Sequence, residues 1–198
     1  MPKAHDPATL EFYDREAADY VARSQQVPSR HLAGFMARLP AGGEVLELGC
    51  GAGRDALAMI AAGFRVDATD ASPAMARQAK ALIGQPVRVM RFDALRAEAA
   101  YDGIYANASL LHVPRAELGV VLSHLHRALR PGGWHLATYK AGLAEGRDRW
   151  GRFFNYPDAD FLRAVYQAAG FRVEALTACV GGGYGGVREA WLAVTVQR

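Results

Sequence analysis

Cysteine is scarce. The 198 residues hold only Cys50 and Cys179, far apart and without metal-ligand spacing, so no cysteine-built metal site is expected. Long apolar runs are missing too: no window could span a bilayer, and the opening MPKAHDPATLEFYDREAADY lacks the apolar centre of a signal peptide. A reduced, cytoplasmic protein without a membrane partner is therefore expected. Basic residues exceed acidic ones by a net charge of only +3, and they are scattered rather than run together. A nucleic-acid partner is accordingly disfavoured. Neither an internal repeat nor an interdomain linker is visible. Residues 1–198 read as one domain, with a helical cap over 1–40 and an α/β core over 44–198.

What the chain does have is concentrated in residues 44–63, EVLELGCGAGRDALAMIAAG. Val45, Leu46 and Leu48 make a short buried strand, Gly49, Gly51 and Gly53 a tight turn, and a helical pattern follows. Such a turn offers a ledge where a flat, extended ligand can touch backbone, although a βα turn can also bind nothing. A dinucleotide fingerprint would need its third glycine where Arg54 stands. Glu47, two residues before the first glycine, would repel a phosphate and favour an ammonium or sulfonium.

The remaining pattern alternates strands with helices. A helix over 9–23 places Tyr13, Tyr20 and Arg23 on one face, and a second over 29–38 ends before the break at 40–43. A helix over 55–62 leads to a strand over 64–69 ending at Asp70, which lies 23 residues after Glu47. A carboxylate at such an offset accepts ribose hydroxyls, though it could instead cap the next helix. That helix opens with Ser72 as N-cap and Pro73 behind it. A strand over 87–92 precedes Asp93, placed to accept from an adenine amine, and a strand over 101–106 leads into Asn107. After a helix over 115–129, the residues Arg130-Pro131-Gly132-Gly133 stop it before a strand over 134–139. Residues 141–156 form a loop with three arginines and four aromatics. A helix over 160–169 and two strands over 171–180 and 189–197 close the chain, the strands antiparallel across a glycine-rich connection.

The segment Glu47-Leu48-Gly49-Cys50-Gly51-Ala52-Gly53 is similar to the first motif of class I S-adenosylmethionine-dependent methyltransferases, and the order of signals resembles that class over nearly the whole chain. Within it, YDREAADYVARS, GAGRDALAM, ANASLLHVP and GRFFNYPDADFL look like the tellurite-resistance-type branch and its small-molecule relatives. The glycine run at 181–186 departs from the pattern. The resemblance implies a Rossmann-like, doubly wound, mostly parallel seven-stranded sheet with a C-terminal antiparallel hairpin and an N-terminal helical cap. It also implies S-adenosylmethionine as cofactor, held by Tyr20, Arg23, Glu47, Gly49, Gly51 and Asp70. Ala71 and Met75 beside Asp70, Asp93 with Ala94, and Asn107 complete that set.

Methyl transfer from a sulfonium mainly needs alignment and exclusion of water, so neither metal nor covalent nucleophile is demanded. A small-molecule acceptor is expected against Tyr13, His112, Trp150 and Arg152. His112 is the candidate base, with a positioning role as its alternative. The loop aromatics and Arg147, Arg149 or Arg152 either meet the acceptor or simply anchor the loop. Two other functions compete: a nicotinamide-dependent oxidoreductase, and a binding module without catalysis.

Overall fold

Side-chain caps at Asp6, Ser72 and Asp158 start three of the helices. In the computed structural model, which describes residues 4–23 and 27–198, Asp6 accepts the Thr9 N–H at 2.9 Å and Pro7 opens α1, Pro7–Arg15. The pattern over 9–23 predicted one helix, but α2, Ala17–Arg23, begins after a bend at Glu16, whose ψ of 9° leaves the helical well. A short α3, Leu32–Met36, buries Leu32 and Phe35. Then β1, Glu44–Leu48, enters the core, followed by α4, Arg54–Ala61, and β2, Arg65–Asp70. Ser72 accepts the Met75 N–H to cap α5, Pro73–Ile83.

The third strand is shorter than its sequence suggests: β3 is Arg88–Val89 alone, and a 3-10 turn takes Phe92–Ala94. Its sole neighbour, β2, ends at Asp70, so the backbone after Met90 has no strand to pair with. The sheet continues with β4, Tyr101–Ala106, then α6, Arg115–Ala128, and β5, Leu129–Lys140. Arg130 to Gly133, expected as the break between helix and strand, instead fall within β5, which begins directly after the helix ends at Ala128. They bulge out while Leu129 pairs with Tyr101 and Trp134 with Gly103. Within the expected loop, β6, Gly146–Arg147, and β7, Phe153–Phe154, form a small hairpin. The chain ends with α7, Ala159–Ala168, β8, Arg172–Gly182, and β9, Arg188–Gln197.

The sheet order is β3-β2-β1-β4-β5-β9-β8, parallel through β5, with β9 antiparallel between β5 and β8. Leu118, Val121, Leu122 and Leu125 of α6 fall at helical spacing and are fully buried on one sheet face. Each contributes roughly 1.5–3 kcal/mol of apolar burial. The opposite face packs Leu32 and Phe35 against Val45, Met59 and Tyr105. On the α6 side, three buried polar side chains satisfy one another in a chain: Tyr139 meets Tyr166, whose hydroxyl meets His135 Nε2, while His135 Nδ1 donates to the Ile104 carbonyl. The strand order reverses between β1 and β4, so a crevice opens where their carboxyl ends diverge. Among the described residues, no helix is long and apolar enough to cross a membrane.

Candidate active site

The glycine turn lies at the carboxyl end of β1, and its glycines answer different demands. At Gly49, φ is +72°, and an added Cβ would stand 2.5 Å from Ser109 Cβ. Contact with the loop after β4 therefore requires that glycine. At Gly51, φ is +56° and the nearest neighbour of an added Cβ is Met75 Cε at 3.7 Å. Here the backbone faces open space, a cavity of about 1060 Å³ including its mouth.

Four carboxylates line this cavity, Asp6, Glu47, Asp55 and Asp70, and Asp6 is taken up by Arg147. Asp70 Oδ2 accepts the Gly51 N–H at 3.0 Å and Oδ1 the Ser72 N–H at 2.9 Å. Burial outweighs those donors and raises its pKa to about 6. Asp55 accepts from the Ser29 N–H at 2.8 Å and from Asn107 Nδ2 at 3.3 Å, and burial again raises its pKa. Glu47 is 3% exposed, and its Oε2 has no hydrogen-bond partner among the described residues. Burial first, then the neighbouring Asp55 and Asp70, push its carboxyl well above the usual range. An unpartnered buried acceptor beside two other acids is a costly arrangement unless a cation is to be received there.

Across the crevice, Asn107 Oδ1 accepts from Thr138 Oγ1 at 2.8 Å. Thr138 Oγ1 in turn receives the N–H of Ala108, whose φ of +53° is unusual for a residue with a Cβ. His112 follows in a 3-10 turn, Leu110–His112. Its Nδ1 lies 2.5 Å from the Phe153 carbonyl oxygen, which can only accept, so Nδ1 carries the hydrogen. Nε2 is then an acceptor, and the Tyr13 hydroxyl donates to it at 3.0 Å. Arg152 Nη1 donates to the same hydroxyl at 3.1 Å. Burial lowers the His112 pKa to about 4, keeping the ring neutral.

Arg152 is itself 2% exposed, paired with Asp148 at 2.7 Å and enclosed by the rings of Phe12, Tyr13, Trp150, Phe154 and Tyr184. It ties α1 to the β6-β7 hairpin and to the β8-β9 connection. Two further contacts fasten α1 to that hairpin: Asp6 pairs with Arg147 at 2.7 Å, and Thr9 Oγ1 accepts the Phe153 N–H. On its other side, Asp14 accepts from Ser72 Oγ and the Ala74 N–H, both at 2.8 Å. The cap thus lies across the crevice, fixed at both margins.

Of the residues singled out in the sequence, Tyr13, Tyr20, Glu47, Gly49, Gly51 and Asp70 line the first cavity, as do Ala71, Met75, Asn107 and His112. Arg23 and Arg152 line a second, adjoining chamber of about 1780 Å³ including its mouth. Asp93, Ala94 and Trp150 are not among the residues lining either. The 3-10 turn carries Asp93 to Arg91 at 3.1 Å, with His5 at 4.0 Å. Trp150 packs on Tyr184 and the guanidinium of Arg149. Unanticipated residues include Asp55, Phe92, Lys140 and Tyr184. Lys140 was legible in principle, as the last residue of β5 on the edge where the acids converge. Tyr184 carried no signal beyond an aromatic amid glycines.

A doubly wound sheet with a glycine turn after β1 and acids at the ends of β1 and β2 defines a methyltransferase-type nucleotide fold. Residues 13–176 match the family described as Methyltransferase domain, and the chain belongs to that family. It is 31% identical to Hemagglutinin 1 of Eikenella corrodens over 142 residues, covering 69% of this chain and 47% of that protein. It is likewise 31% identical to the uncharacterized methyltransferase sll0829 of Synechocystis sp. over 113 residues, covering 56% of this chain and 51% of the relative. The chain thus spans about half the length of these curated relatives. In structure it is similar to Burkholderia thailandensis 1,6-didemethyltoxoflavin-N1-methyltransferase, solved with 1,6-didemethyltoxoflavin and S-adenosylhomocysteine. The TM-score is 0.79 at 21% identity, covering 100% of this chain and 91% of that one.

Proposed function

We propose that the protein binds S-adenosylmethionine in the first cavity and transfers its methyl group to a small molecule seated in the second chamber. The observation that carries this reading is Glu47 Oε2, buried and without a hydrogen-bond partner among the described residues, on the wall it shares with Asp55 and Asp70. A cationic ligand relieves all three acids at once. When bound, the cofactor supplies an activated methyl on a positive sulfur that departs as a neutral thioether. The protein's part is to hold and enclose. Asp70 has lone pairs left beyond its two backbone donors and takes ribose hydroxyls; Glu47 meets the ammonium. Gly49 and Gly51 give the ligand backbone to lie on, with Tyr20, Ala71, Met75 and Asn107 around it. Asp93 and Ala94 reach the adenine end only if the 3-10 turn reorients. Tyr13, His112 and Arg152 form the wall between donor and acceptor, Arg23 lies nearby over Tyr184, and Trp150 backs Arg152. Cap and core then work as one domain. The two free thiols, Cys50 and Cys179, suit a reducing cytoplasm, and a chamber walled by Phe154, Tyr184 and Trp191 suits a small acceptor better than a nucleic acid.

Calorimetric titration with S-adenosylmethionine, S-adenosylhomocysteine and NAD tests the reading. The sulfur ligands are expected to bind and NAD to fail. Asp70→Ala is expected to lose about 1.5–3 kcal/mol for each hydroxyl held, with Asp70→Asn keeping part of it. Tighter binding of NAD, or full affinity in Asp70→Ala, would reject it.

A further inference from the structure

The two adjoining chambers differ in charge. The first is lined by Asp6, Glu47, Asp55 and Asp70 against Arg91 and Arg54, the latter shared with the second, so carboxylates outnumber cations there. The second is lined by Arg23, Arg30, Arg54, Lys140 and Arg152, and by no carboxylate side chain among the described residues. Residues 24–26 are Ser24, Gln25 and Gln26, none of them charged. Two of the five cations are buried in the chamber wall. Lys140 is 7% exposed, with Nζ 2.6 Å from Glu189 and 4.5 Å from the centre of the Phe154 ring. Arg152 is held by Asp148. Neither Glu189 nor Asp148 is among the residues lining the chamber, so its charged lining among the described residues is cationic, with Arg23, Arg30 and Arg54 added to Lys140 and Arg152. Phe154, Tyr184 and Trp191 add flat apolar walls, with Leu111 and Leu192 between them.

Resting on the methyl-donor reading above, we propose that the second chamber selects a small organic anion with a flat, aromatic body, of the aromatic carboxylate class, as the acceptor. Complementary charge gives such a molecule both orientation and preference over neutral isosteres. The same choice resolves how transfer proceeds past His112, whose two nitrogens are already engaged by Tyr13 and Phe153. An acceptor oxygen that arrives ionised forms the new C–O bond with its own electron pair, while sulfur keeps the pair of the broken C–S bond. No proton needs a base in that exchange.

The test titrates the full chain with 2-hydroxybenzoate, 4-hydroxybenzoate and 2-naphthoate, each against its primary amide, and with benzylamine as a cationic control. Titrations run with and without S-adenosylhomocysteine, at low and high salt. The acids are expected to bind at least ~10-fold tighter than the amides, with the margin shrinking as salt rises. Lys140→Gln should abolish most of the margin and Lys140→Arg restore it. Arg30→Gln, at an exposed position, should reduce it in a protein whose melting temperature is unchanged. Equal binding of acids and amides, preference for benzylamine, or an undiminished margin in both Gln variants would overturn the proposal. Acids that bind while S-adenosylhomocysteine does not would reject the methyl-donor reading and support the anion preference by itself.

Discussion

The Tyr13 hydroxyl donates to His112 Nε2 across 3.0 Å, joining two residues 99 positions apart. The bond is directional because the Phe153 carbonyl fixes the hydrogen on Nδ1. Tyr13 meanwhile receives a hydrogen from Arg152, so the three side chains form one oriented chain linking the cap, the loop after β4 and the β6-β7 hairpin.

Tyr13→Phe leaves His112 Nε2 and one Arg152 nitrogen unpaired, and is expected to cost about 1–3 kcal/mol of stability in urea unfolding. Because burial holds His112 near a pKa of about 4, the methyl-transfer rate should show no inflection between pH 6 and 8 from this ring. An inflection in that range that vanishes in His112→Asn would restore the histidine as a titrating base.

Gly49→Ala should destabilise the protein twice over. The collision with Ser109 Cβ at 2.5 Å is expected to cost about 1–3 kcal/mol, and the left-handed backbone at φ +72° about 1–2 kcal/mol more. Adding Ser109→Gly removes the collision alone, so thermal melts should recover only the first part. Full recovery would mean the backbone conformation is unimportant.

Cofactor affinity should climb with pH. Asp70, raised from 3.8 to about 6, holds its proton more tightly in the folded protein than in the unfolded chain. Its contribution to the ligand-free fold is therefore full below about pH 4 and fades as pH rises through about 6. Ribose hydroxyls donate to the ionised form of Asp70 and an ammonium meets the ionised form of Glu47; from Asp70 alone, binding should weaken below about pH 6 and release protons when it occurs near that pH. Calorimetry in buffers of different ionisation enthalpy would detect the release; pH-independent affinity from 5 to 8 would count against these acids.

Asp14→Ala should loosen the cap without unfolding the core. Asp14 is exposed, so global stability should fall by about 1 kcal/mol or less. Loss of its bonds to Ser72 and Ala74 should appear instead as faster hydrogen exchange confined to α1 and weaker cofactor binding. Unchanged exchange in α1 would show that the Asp6 and Tyr13 contacts suffice.

Local signals made much of this legible. The β1 turn, the Ser72-Pro73 helix start and the parallel order through β5 follow from period and punctuation, which depend on neighbours in the chain. The shortness of β3 does not, because an edge strand extends only as far as its partner. Arg152 shows the same limit: its sequence neighbourhood suggested an anion contact, while its five aromatic neighbours come from α1, the hairpin and the β8-β9 connection. Trp150 was read as an acceptor contact, yet it packs against Tyr184, a tertiary neighbour that no spacing rule supplies.

Tyr13, Tyr20, Asn107 and His112 face both chambers. A shared wall makes the two occupants thermodynamically linked: whatever factor one adds to the other's affinity must be returned in full. Tyr13 of α1 stands on that wall, so a ligand that tightens this side chain from one chamber leaves less ordering to be done by a ligand in the other. Occupancy should therefore be cooperative even where the ligands do not touch, and departure sequential, with whichever molecule leaves first loosening the hold on the one that remains.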